Sequence, residues 1–265
     1  EAGIVGSAIG LCMRGYRPVC EIQFDGFVFP AVDQLITQAA KLRNRSRGLL
    51  SAPLTVRIPF GGGIGAIEHH SESPESYFAH TPGLIVVAPS NPADAYTMLR
   101  QAIACDDPVI FLEPKGRYWD KAEVAWDAEP LPLHKARVVR PGADATLVGY
   151  GPSVRTCIEA ADAMAAEGRA IEVIDLRSIS PVDTDTVLDS VRRTGRLVVV
   201  TEAHQSFGPA SELAARVQEQ AFYSLEAPVI RVAGYDTPYP VSRVEEDWLP
   251  NLDRVLAALD RSLSF

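Results

Sequence analysis

Two of the chain's five histidines stand side by side in Ile67-Glu68-His69-His70-Ser71-Glu72-Ser73-Pro74-Glu75, among three glutamates. Imidazoles and carboxylates in one short stretch can bind a metal, share a proton, or face water as the lip of a loop. The spacing counts against a metal. Adjacent side chains do not share a face of a helix or strand, and neither H-x-x-x-H nor H-E-x-x-H occurs. Just upstream, Gly61-Gly62-Gly63-Ile64-Gly65-Ala66 satisfies G-x-G-x-x-A, a loose form of the dinucleotide fingerprint. A nicotinamide-binding loop also needs a helix opening at once onto the pyrophosphate. Here Glu68-His69-His70 intervene and Pro74 delays the helix. No G-x-x-x-x-G-K-[ST] occurs, so a P-loop is excluded. A glycine loop at the carboxyl end of a strand is nevertheless where open α/β sheets bind ligands. The residues therefore mark a ligand site whose chemistry they leave open.

The elements that must position this loop alternate. Residues 1–15, "EAGIVGSAIGLCMRG", read as a small-residue helix capped by Gly15. "RPVCEIQF" reads as a strand, and Val32, Leu35, Ile36, Ala39 and Leu42 share one helical face. "PLTVRIPF" is a strand running into the glycine loop. Ser73-Pro74-Glu75 opens a short helix, with Ser73 as cap and Glu75 as a first-turn acid. "GLIVVAPSNPADAYTMLRQAIACDDPVIFLEP" reads strand, helix from Asn91-Pro92, strand. Residues 120–133 lose periodicity and turn acidic. A second series then follows, in which "ATLVGYG", "AIEVIDL", "RLVVVTEA" and "PVIRVAGY" are strands separated by amphipathic helices. The pattern predicts an α/β protein of two domains with mainly parallel sheets.

Composition narrows the function classes. The formal net charge of −9 supplies no basic stripe for nucleic acid or an anionic membrane. The run Lys41-Leu42-Arg43-Asn44-Arg45-Ser46-Arg47 suits a helix C-terminus. No apolar run reaches membrane-spanning length. Cys12, Cys20, Cys105 and Cys157 lack C-x-x-C spacing and read as reduced thiols of an intracellular protein. The chain opens at Glu1 without Met, in a helical pattern, and is expected to be the later part of a longer polypeptide.

The blocks "EAGIVGSAIG", "PVCEIQFDGFVFPAVDQ", "IPFGGGIGAIEHHSESPESYFAH" and "APSNPADAYTMLRQAI", in that order, resemble the beta subunit of thiamine-diphosphate-dependent 2-oxo acid dehydrogenases. "VIDLRSISPVDTDTV", "GRLVVVTEA" and "LEAPVIRVAGYDTPYP" carry the likeness through the second half. "HHSESPESYFAH" and "GYDTPYP" look most like the branched-chain type, with pyruvate- and acetoin-specific relatives close. The resemblance implies a pyrimidine-binding domain (1–119, lacking its N-terminal segment), a linker (120–138) and a transketolase C-terminal-like domain (139–265).

By its position alone Glu1 reads as an acid at a helix start. The resemblance instead implies that it hydrogen-bonds the aminopyrimidine of thiamine diphosphate and so promotes loss of the thiazolium proton. It places Gln23 and Phe27 against the same ring, with Phe27 where relatives often carry Tyr, so the aromatic face is kept and the hydroxyl lost. It makes His70 the histidine that assists reductive acyl transfer to a lipoyl group, while His69 is off-pattern. Thr55, with main-chain carbonyls near Leu54, Ala102, Cys105 and Asp107, matches a potassium-binding region of some relatives. Thiamine enzymes hold the cofactor's diphosphate and Mg2+ with a G-D-G…N segment, which this chain lacks. The resemblance implies that an alpha subunit provides it, in an assembly of two alpha and two beta subunits. A lipoyl-bearing dihydrolipoyl acyltransferase is the further partner. The location implied is the cytoplasm of a bacterium or the mitochondrial matrix of a eukaryote.

Overall fold

The structure, a computed structural model, describes residues 1–127 and 129–265; Ala128, inside the stretch read as a linker, lies outside the described residues. Val- and Ile-rich runs form strands buried on both faces, as expected where helices cover a parallel sheet on each side. The first sheet has the order β1 (Val19–Glu21), β2 (Thr55–Phe60), β4 (Val109–Pro114), β3 (Ile85–Val87), β8 (Ser178–Ser180). Its pairs are parallel, with Val56 opposite Ile110 and Val86 also opposite Ile110, except that β8 runs antiparallel to β3. The second sheet has the order β10 (Ile230–Gly234), β9 (Leu197–His204), β6 (Ala145–Gly149), β7 (Ile171–Asp175), β5 (Arg137–Arg140). Only β5 is antiparallel there. The two α/β units with mainly parallel sheets match the expected fold.

Local signals set the helix ends. Asn91 caps the helix Pro92–Ala104 by accepting the Asp94 N–H at 2.9 Å, and Pro92 sits where a helix has no use for an N–H. The first helix, Ala2–Met13, closes with Gly15 at φ +87°, the Gly15 and Tyr16 N–H groups donating to Cys12 O and Leu11 O.

Three features depart from the sequence reading. The expected helix through Val32–Leu42 is instead a series of short 3-10, π and α turns between Asp25 and Arg45. Pro30 withholds an N–H there, and the Thr37 hydroxyl donates back to Asp33 O at 2.7 Å, which perturbs the helical ladder. Arg137 and Val138, read as linker, begin β5. Ser178–Ser180, read as part of the second unit, completes the first sheet.

That exchanged strand helps join the halves. One apolar cluster contains Phe60, Ala88 and Leu112 from the first and Val148, Tyr150, Ile174 and Leu176 from the second. Beside it, Arg177 is wholly buried and donates to Asp94 Oδ1 (3.2 Å), Lys135 O (2.6 Å) and Pro132 O (3.1 Å), fastening the intervening chain to both units. Burying a guanidinium is costly unless its donors are met, and these acceptors meet them. The ends of β1, β2 and β4 are thus held in a fixed frame beneath the glycine loop.

Candidate active site

The short turn Glu68–His70 packs onto the turn that follows β1. The His70 imidazole lies parallel to the Phe24 ring, centroids 4.0 Å apart, and meets the edge of Phe27 at 5.4 Å. Both arrangements suit the quadrupoles of aromatic rings. His70 Nδ1 lies 2.9 Å from His69 O. A proton on Nδ1 donates to that carbonyl and leaves Nε2 as the nitrogen available for chemistry. Gly26 permits the close approach, since a Cβ there would fall 2.3 Å from His69 O.

A buried ion pair underlies this layer. Asp25 and Lys115 are almost fully buried and bonded to each other. Burial pushes the Asp25 carboxyl up and the Lys115 ammonium down, each opposed by the attraction of its partner. Asp25 Oδ2 also accepts the Glu72 N–H at 3.1 Å, and Glu72 O accepts the Gly61 N–H at 3.0 Å. The end of β4, the Phe24–Phe27 turn, the histidine turn and the glycine loop are therefore linked in series.

Three more of the loop's donors are bonded to the second unit. Gly62 N–H donates to Glu202 Oε2 at 2.9 Å. Gly63 and Gly65 N–H donate to the two oxygens of Glu245, each at 3.0 Å. Burial, with the charge of Glu245 as a lesser cause, pushes the Glu202 carboxyl up to about 7. Glu75, a first-turn acid of the short helix Glu75–Ala79, is wholly buried. One of its oxygens accepts the Tyr150 hydroxyl at 2.6 Å, the other has no partner among the described residues, and burial pushes the group up to about 7.

The expected site residues divide. Phe27 and His70 are brought together. Gln23 is exposed at the edge of the same turn. Glu1 is exposed at the start of the first helix and makes no side-chain capping bond. Among the residues proposed for potassium, Leu54 O accepts the Val109 N–H, Ala102 O accepts the Cys105 N–H, and Thr55 is buried in β2. Cys105 O accepts from the Arg17 guanidinium at 2.8 Å, and the Asp107 carboxylate accepts from Arg43 at 2.5 Å. Sequence reasoning noted Glu72 beside the histidines without giving it a role, and passed over Phe24, Asp25, Lys115, Glu202 and Glu245. The "QFDGF" run flagged Phe24 and Asp25 by adjacency to Gln23; the others carried no local signal.

Residues 1–120 match the transketolase pyrimidine binding domain and residues 134–255 the transketolase C-terminal domain. The pyruvate dehydrogenase E1 component subunit beta of Leifsonia xyli is 59% identical over 265 residues, covering 100% of this chain and 79% of the relative. The chain belongs to the beta subunits of thiamine-diphosphate-dependent 2-oxo acid dehydrogenases. The 3-methyl-2-oxobutanoate dehydrogenase subunit beta of Mycobacterium tuberculosis is 53% identical over 264 residues, 99% of this chain and 76% of the relative. An inactive beta4 tetramer of a split-gene transketolase has the same fold, with a TM-score of 0.83 over 99% of this chain and 81% of that one, at 22% identity.

As a beta subunit of this family the chain is an enzymatic component, and thiamine diphosphate is the family's cofactor. The nicotinamide alternative fails on geometry as well. A pyrophosphate approaching Gly61–Ala66 would find the N–H groups of Gly62, Gly63 and Gly65 already bonded to the carboxyl groups of Glu202 and Glu245, and that of Gly61 to Glu72 O. No described helix is long and apolar enough to cross a membrane.

Proposed function

We propose that the chain forms half of a thiamine-diphosphate site and catalyses, with an alpha subunit, oxidative decarboxylation of a branched-chain 2-oxo acid and reductive transfer of the acyl group to lipoyl. The observation carrying this reading is His70, stacked on Phe24, set T-shaped to Phe27 and with Nε2 unbonded among the described residues.

The residues suit one end of the cofactor. Phe27 offers an aromatic face to a pyrimidine, and Gln23 and Glu1 offer polar groups to its nitrogens. The diphosphate end finds no comparable site here, because the glycine loop's donors are taken. Mg2+ and the diphosphate therefore fall to the alpha subunit in this reading. Two alpha and two beta chains make the assembly, and a lipoyl-bearing acyltransferase receives the product. When bound, thiamine diphosphate supplies the electron sink for loss of carbon dioxide. Glu1 holds the proton at the pyrimidine nitrogen, and His70, protonated, steadies charge or gives a proton to lipoyl sulfur. Potassium at Leu54, Thr55, Ala102, Cys105 and Asp107 would compete with Arg17, which already places a positive charge on Cys105 O.

The test uses the assembled enzyme. His70→Ala should depress lipoyl acylation by ~10²-fold or more, while decarboxylation read with an artificial electron acceptor falls less; His69→Ala should be milder. Equal losses in both assays would refute the role. The branched-chain assignment is read by comparing 3-methyl-2-oxobutanoate with pyruvate, and a preference for pyruvate would overturn it.

A further inference from the structure

The second unit gives no side chain to the His70 aromatic stack, yet it holds the loop that leads into it. Glu202, on β9, and Glu245, which opens the short helix Glu245–Trp248, together accept the N–H groups of Gly62, Gly63 and Gly65. Both acids lie in a packed setting. The Tyr239 hydroxyl donates to Glu245 Oε1 at 2.6 Å, and Trp248 lies 4.8 Å from the Tyr239 ring while its indole N–H donates to Thr237 Oγ1 at 3.1 Å. Gly61 and Gly62 have no room for a side chain. A Cβ on Gly62 would fall 2.0 Å from the Tyr239 oxygen, and one on Gly61 would fall 2.8 Å from Glu202 Oε2.

Without these anchors the loop would be soft. Gly61, Gly63 and Gly65 all have positive φ, a region glycine enters freely and leaves as freely. The Gly61 N–H to Glu72 O bond closes the loop at its neck, so the segment 61–72 is fixed there and at its three inner N–H groups. With three of the loop's N–H groups held by these two side chains, Glu202 and Glu245 are the side-chain restraints on loop geometry.

We propose that Glu202 and Glu245 are positioning residues for reductive acyl transfer. They hold the glycine loop so that the histidine turn at its far end presents His70 in register with the Phe24–Phe27 face. The second unit then acts on the reaction through main-chain bonds alone. This rests on the role proposed for His70.

The number of bonds at each acid predicts how its amide should behave. Glu202 meets one N–H with one oxygen, so Glu202→Gln can still accept it, whereas Glu202→Ala cannot. Glu245 meets two N–H groups, one on each oxygen, and the Tyr239 hydroxyl on Oε1. Glu245→Gln must turn an NH2 toward one of them, so the amide should fail almost as Glu245→Ala does.

The four variants and His70→Ala are assembled with the alpha subunit and assayed for decarboxylation with an artificial acceptor, for lipoyl acylation, and for thermal midpoint. A displacement of about 1 Å at a reacting group can cost ~10²-fold. Glu245→Ala, Glu245→Gln and Glu202→Ala should therefore lose about tenfold or more in acylation relative to decarboxylation, and Glu202→Gln should recover most of it. Losses equal in both assays that merely track the thermal midpoint, or a Glu245→Gln enzyme with normal partition, would overturn the proposal. If His70→Ala leaves the partition unchanged, the His70 reading fails and takes this one with it. If His70→Ala shifts it and the Glu245 variants do not, only the positioning role fails.

Discussion

Replacing Glu75 by Gln should make the protein more stable at alkaline pH and leave it nearly unchanged in acid. The Glu75 side chain is wholly buried, with Tyr150 donating to one oxygen and, among the described residues, nothing to the other. Burial raises its ionisation from 4.5 to about 7. Because the folded value lies above the unfolded one, this group's favourable contribution is complete below about 4.5 and is lost as pH rises to about 7. At about 1.4 kcal/mol per pH unit, the accumulated cost above pH 7 is about 3 kcal/mol. A Gln carbonyl can still accept the Tyr150 hydroxyl, and it carries no charge to desolvate. The variant should therefore gain about 2–3 kcal/mol over the parent near pH 8.5, and the gap should close near pH 5. Urea unfolding of both proteins across that range measures it. Parallel stability curves, with the same gap at both ends, would refute the argument that Glu75 is driven by desolvation. Tyr150→Phe removes the larger of the two hydrogen-bond effects that lower the Glu75 value, so that variant should show a greater alkaline loss than the parent.

Three further outcomes follow from the same structure. Lys115→Met leaves the buried Asp25 without its counter-charge and should cost about 3–5 kcal/mol in chemical denaturation, less at low pH, where Asp25 takes up a proton; a loss under about 1 kcal/mol would contradict the pairing. Gly26→Ala places a Cβ 2.3 Å from His69 O, so the histidine turn must shift and lipoyl acylation in the assembled enzyme should fall more than the thermal midpoint suggests; normal acylation would show the contact is not a restraint. The isolated chain should bind thiamine diphosphate with magnesium weakly in calorimetry, and an alpha subunit should restore tight binding; tight binding by the chain alone would remove the half-site reading.

Much of the architecture is written locally. The strands at 145–149, 171–175 and 197–204 follow from short Val- and Ile-rich runs between turn residues, and the helix at 92–104 follows from its own Asn91 cap and Pro92. Gly195 ends the helix Thr184–Thr194 in the left-handed region, as a glycine at that place should. These signals need no knowledge of the rest of the chain. The ordered blocks around Gln23, Phe27 and His70 likewise sufficed to point to the family.

The glycine loop shows where local reading ends. "GGGIGA" has the composition of an anion cradle, and from the sequence its N–H groups are free to bind phosphate. Three of them are not free, because Glu202 and Glu245, 140 and 180 positions along the chain, have already satisfied them. Glu75 has the placement of a solvated helix acid, but the packing of Tyr150 against it makes it a buried one. Ser178–Ser180 has no local reason to leave its own sheet; it pairs with β3 because the two units share a core. Backbone propensities and hydrophobic period are fixed by neighbours in sequence. The state of a buried donor or carboxyl is fixed by whatever packs over it, and only the tertiary structure determines what that is.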